Sequence, residues 1–92
     1  MMLNENTLRA AIARESAAIS ELRGKIDEAP LKLLLESAST TLSLVLRGYL
    51  GPHAMKPTRT GKELESWLEQ AGQHVERASQ IRREVEAVVK RG

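Results

Sequence analysis

Apolar residues return along most of this chain at steps of three and four. Leu8, Ile12, Ile19, Leu22 and Ile26 form the first series, with Ala11 and Ala18 beside them. That spacing lines one face of a helix, predicted from about Glu5 to about Asp27. Asn4 or Asn6 can cap it by accepting from the unpaired N–H groups of the first turn. Gly24 weakens the last turn, so the helix is free to end or bend there. One charged residue, Glu15, interrupts the apolar stripe.

The second series opens at Pro30, a residue tolerated in the first turn of a helix, and runs to Leu50. Leu31, Leu34, Leu35, Ala38, Leu42, Val45, Leu46 and Tyr49 share one face, and Leu33, Leu44 and Leu50 make a partial second. The other positions are mostly Ser and Thr. A helix apolar around much of its circumference is expected to be covered on more than one side, which places it in the middle of the assembly. The run Thr40–Leu46 alternates enough to admit a strand, but the long stripe favours helix. Gly51 followed by Pro52 ends it.

The third series begins after Thr60-Gly-Lys-Glu63, a capping-box pattern. It predicts a helix over 61–90, with a basic loop at 51–60. Leu64, Leu68, Ala71, Val75, Ala78, Ile81, Val85 and Val88 carry the stripe, which shortens by one step between Ala78 and Ile81. At 1.5 Å per residue this helix is roughly 45 Å long, against roughly 30–35 Å for the other two. It should therefore overhang its partners near Val88 and Val89, and a second copy of the chain is the simplest cover. The expected architecture is all-α: one domain, a three-helix antiparallel bundle with a long carboxyl-terminal helix, dimerising into a larger helical bundle.

Composition supports that reading. Ninety-two residues suffice for a single small core, and with no Phe, one Trp and one Tyr that core is built from aliphatic contacts. The absence of Cys removes disulfides, thiolate metal sites and a cysteine nucleophile. The amino-terminal MMLNENTLRA lacks the basic and apolar regions of a signal peptide, so a cytoplasmic protein is expected. The window Leu31–Leu50 is about long enough to span a bilayer but holds Lys32, Glu36, Arg47 and five Ser or Thr residues, so no membrane span is expected.

Candidate chemistry is sparse. His74 has no second ligand at helical spacing, and His53 has none nearby in sequence, so no metal or cofactor is expected. Gly61-Lys62 resembles the end of a phosphate-binding loop, but Lys56 stands where the earlier glycine belongs and Glu63 where Ser or Thr belongs. Glu15 suits a peripheral seam position, an arginine partner across an interface or, more sharply, a tuned catalytic acid. With no convergent set around it, no enzyme is expected.

Two binding surfaces remain. The net charge is only +2, yet no acidic residue lies between Glu36 and Glu63, where Arg47, His53, Lys56, Arg59 and Lys62 are grouped. That group is a candidate anion or phosphate-backbone site. The connection is too long for a helix-turn-helix, and Glu63, Glu65, Glu69 and Glu76 make the third helix a poor groove reader. The second surface is the third helix itself, through Leu64, Trp67, Leu68, Val75, Ile81, Val85 and Val88. Its acidic first half and its basic second half, with Arg82 and Arg83, suit antiparallel pairing of two chains. The expected function is thus a small regulatory, adaptor or chaperone-like protein acting by helix-face contacts, through the third helix or the second face of the middle helix, as a homodimer or with another protein. A nucleic-acid-associated regulator using the basic stretch is the alternative.

Overall fold

The computed structural model describes residues 4–52, 54 and 61–91. Three helices form: α1, Glu5–Arg23; α2, Ala29–Gly48; and α3, Lys62–Arg91. No strand occurs among the described residues, and Thr40–Leu46 lies within α2. Asn4 caps α1. Its Oδ1 accepts from the Thr7 backbone N–H at 2.8 Å, while Thr7 Oγ1 accepts from the Asn4 N–H at 3.4 Å. The cap proposed at Thr60 falls outside the described residues. Gly61, at φ +97°, takes a backbone conformation that side-chain-bearing residues avoid, and its carbonyl receives the Glu65 N–H at 3.0 Å.

α1 ends at Arg23, a turn earlier than its apolar series predicts. Beyond Gly24 the backbone tightens, with Lys25 N–H donating to Leu22 O and Ile26 N–H to Arg23 O. This turn still buries Ile26 and swings the chain into α2. At the far end of α2, a Cβ on Gly51 would stand 2.7 Å from the Arg47 carbonyl, so only glycine fits that exit.

Consecutive helices are antiparallel. Arg23, at the end of α1, bonds Glu36 in the first half of α2 at 2.8 Å. Arg9, near the start of α1, donates to the Leu50 carbonyl beyond the end of α2 at 2.7 Å. α1 and α3 run the same way: Leu8 lies beside Val75, and Leu22 beside Glu86 and Val89. The core joins Leu8, Ile12, Ile19 and Leu22 of α1 to Leu35, Leu42 and Val45 of α2 and Val75 and Val85 of α3. Ala38, Ala71 and Ala78 are wholly buried, so small side chains let the backbones approach closely where aromatic residues are scarce.

One expectation about packing is corrected. The carboxyl end of α3 does not overhang uncovered. Val89 packs on the core near Ile26 and Leu31, because the α1–α2 corner reaches that far, and Val88 alone of the pair is exposed. α2, expected in the middle of the assembly, packs on both α1 and α3 within the chain. One side meets α1 and α3; Leu33 and Leu44, exposed by 65% and 62%, point the other way, and Leu34 and Leu46, 45% and 36% exposed, sit on the two flanks of the packed side.

Candidate functional site

The structure redistributes the candidates on α3. Leu68, Val75 and Val85 are inside the chain's own core, so they are not surface positions for a partner. Leu64 and Ile81 are half-buried against that core. Trp67 is tied down at the α2–α3 end: its Nε1–H donates to the Tyr49 carbonyl at 3.1 Å and its ring lies 4.7 Å from the Tyr49 ring. His74 is exposed and sits 5.6 Å from the same tyrosine ring. Val88 is the one apolar candidate of α3 that is well exposed.

Arg82 and Arg83 find their acids at home. Arg82 grips Glu15 of α1 through Nε at 2.9 Å and Nη2 at 3.0 Å, and Glu86 of its own helix through Nη1 at 2.8 Å. The buried Ser79 hydroxyl donates to Glu15 at 3.0 Å. Arg83 bonds Glu76 at 2.8 Å. The pairing of acidic and basic halves expected between chains is therefore met, for these two arginines, inside one chain. Glu15 and Arg82 are only 15% and 18% exposed, so this two-pronged bond is shielded from water.

The same network decides the chemistry of Glu15. Its bonds to Arg82, opposed by burial and aided by Ser79, hold its carboxyl below the usual carboxylate range. Arg82 is held above its own ordinary range by Glu15 and Glu86. A general acid working near neutral pH needs its carboxyl raised, the opposite direction. The groove between α1 and α3 beside Glu15 therefore presents a fixed ion pair rather than a proton donor. No cluster of three His, Cys, Asp or Glu side chains suited to a metal occurs among the described residues.

Of the basic stretch, Arg47 and Lys62 are described, and both are exposed. His53, Lys56 and Arg59 lie outside the described residues. The exposed Glu63 and Glu65, in the first turn of α3, share the end where Lys62 stands.

What remains as a continuous feature is the outer side of α2. At 100° per residue, Leu33 and Leu44 point almost directly away from Leu35, Ala38, Leu42 and Val45. Leu33, Ser37, Thr40 and Leu44 step by four, three and four, a seam of the kind that pairs with another helix. On one flank Pro30, Leu34, Thr41 and Gly48 add no charge, and on the other stand Glu36 and Arg47. An apolar recess lined by Thr41, Leu44, Val45, Tyr49 and His74 flanks the seam toward α3. α2 is also long and apolar enough, by length and composition, to cross a membrane, although its inner side is committed to the protein core. Sequence reasoning marked Leu33 and Leu44 as a second face and offered that face, beside the third helix, as a contact surface, but named its interface residues only on α3. The available signal was that three charges in twenty residues leave α2 too apolar for one buried side.

The chain matches no protein-family model, no curated protein and no solved structure.

Proposed function

We propose that this chain is a small non-enzymatic interaction protein that works through helix-face contacts, with the outer side of α2 as the contacting surface. One observation carries the reading: Leu33 and Leu44, exposed by 65% and 62%, stand on one charge-free seam with Leu34 alongside. Single exposed leucines are ordinary, but an uncharged seam ending in two exposed leucines, with only Ser and Thr between them, is the shape of a helix contact surface. Fully burying a leucine is worth roughly 1.5–3 kcal/mol, and these leucines are already partly covered, so closing the seam contributes a fraction of that from each and favours a weak contact. The rest of the surface is charged and mixed in sign, as suits a face left in water.

A photo-reactive residue at position 44, compared with one at the exposed position 80 on α3, checks this in the cells that make the protein. The expected result is a discrete cross-linked adduct from position 44 that Leu33→Glu abolishes, and none from position 80. Equal, diffuse labelling from both positions would remove the reading.

A further inference from the structure

The groove at Glu15 is filled by its own ion pair, and the Tyr49–Trp67–His74 cluster is largely accounted for by packing and a backbone hydrogen bond. The outer side of α2 goes further, because its pattern specifies an occupant.

We infer that the occupant is a second copy of this chain, with the two α2 helices packed antiparallel about a two-fold axis. This rests on the proposed role of the α2 face and names its partner. The seam is self-complementary. In an antiparallel pair each residue faces the one whose number completes a constant sum, and one register satisfies every layer at once. Leu33 meets the second copy's Leu44, Ser37 meets its Thr40, and the two-fold repeats both contacts. Large side chains close the ends, and small hydroxyl-bearing ones lie where the helices approach most closely. In that register the second copy's Leu34 comes level with position 43, on the flank that carries Thr41 and the recess beside Leu44 and His74.

Charge selects the same orientation. The exposed Asp27 and Glu28 stand at the amino end of α2 and the exposed Arg47 at its carboxyl end, and none of the three side chains bonds another among the described residues. Antiparallel pairing brings Arg47 within about 5 Å, along the axis, of the second copy's Asp27 and Glu28. Parallel pairing would instead set Arg47 against Arg47. The helix dipoles also oppose one another in this arrangement.

Size sets the strength. α2 is about 30 Å long and about 10 Å across, so one helix-on-helix contact falls at or below the lower end of the roughly 1,200–2,000 Å² of tight complexes. The dimer belongs to the weak class, with a dissociation constant on the order of micromolar.

Sedimentation equilibrium of the purified full chain, from low to several hundred micromolar, reads this directly. The mass should climb from one chain to two, and the Leu33→Glu/Leu44→Glu variant should stay at one. Arg47→Glu should weaken association about tenfold, and adding Asp27→Arg and Glu28→Arg to the same chain should restore it. Because the chain has no cysteine, register is tested by mixing Leu33→Cys and Leu44→Cys chains and oxidising them. The mixed 33–44 disulfide should dominate both homodisulfides. Predominant homodisulfides would overturn the antiparallel register. A single-chain mass at every concentration would overturn the dimer, whether or not the protein then pellets with neutral phosphatidylcholine vesicles. A single-chain mass with a discrete position-44 adduct to a different protein overturns only the second copy; a single-chain mass with no adduct at position 44 removes the broader reading as well.

Discussion

Leu42→Ala lowers the unfolding free energy by about 3 kcal/mol, the middle of the range for emptying a buried leucine site. Leu42 is 1% exposed and sits among Leu35, Val45 and the wholly buried alanines, where neighbours have little freedom to collapse into the gap. A chain of 92 residues carries roughly 5–14 kcal/mol in total. The loss is therefore a large share of the whole, and no Phe cluster exists to absorb it. Two positions on, the outcome reverses: Leu44→Ala, on the outer side of α2, changes the stability of the isolated chain by no more than about 0.5 kcal/mol. Chemical denaturation of the two variants at a concentration too low for association checks both. Equal losses would mean that α2 is covered on both sides within one chain.

Glu15→Ala costs about 2 kcal/mol. The change removes both prongs of a shielded Arg82 bond and the acceptor of the buried Ser79 hydroxyl, and hydrogen bonds to charged partners are worth roughly 1.5–3 kcal/mol. Glu86 still holds the remaining Arg82 nitrogen, which keeps the loss below that of a wholly orphaned buried charge. The pH dependence follows from the direction of the shift. The Glu15 carboxyl is depressed in the folded chain below its ordinary value of 4.5. Its contribution is therefore complete above about that value and disappears as pH falls through the lower folded-state value. Wild type should lose stability on acidification through that window more steeply than Glu15→Ala, so the two denaturation curves converge in acid. Parallel curves down to the lowest pH would show that the ion pair adds nothing.

The three helices were legible because apolar spacing of three and four is a backbone-level signal, and each series maps onto an observed helix. The end of α1 was less legible. Ile26 keeps the helical period in sequence, yet it is buried from a tight turn after Gly24, so periodicity alone overran the helix. The ion pair was half visible. α1 steps through positions 8, 12, 15, 19, 22 and 26, and α3 through 64, 68, 71, 75, 78, 82, 85 and 89. Each series has one charge at a core position, Glu15 and Arg82. The apparent short step to Ile81 concealed that Arg82 holds the regular place. Sequence alone did not say whether the two meet within one chain or between two, since that depends on which helices run parallel. The exposed side of α2 was legible as a second apolar face, but an all-round apolar pattern reports that cover is needed, not where it comes from.

The account turns on whether the outer side of α2 is covered where the protein works. Hydroxyl-radical footprinting inside cells, set against the dilute purified chain, measures this with an internal reference. Leu34 and Val88 are each 45% exposed, one on the α2 face and one on α3. In the dilute chain they should label alike after correction for intrinsic reactivity. In cells, labelling of Leu33, Leu34 and Leu44 should fall severalfold while that of Val88 holds. Unchanged labelling at all four residues would mean that the face stays open to water, and would contradict the proposal that this protein acts through it.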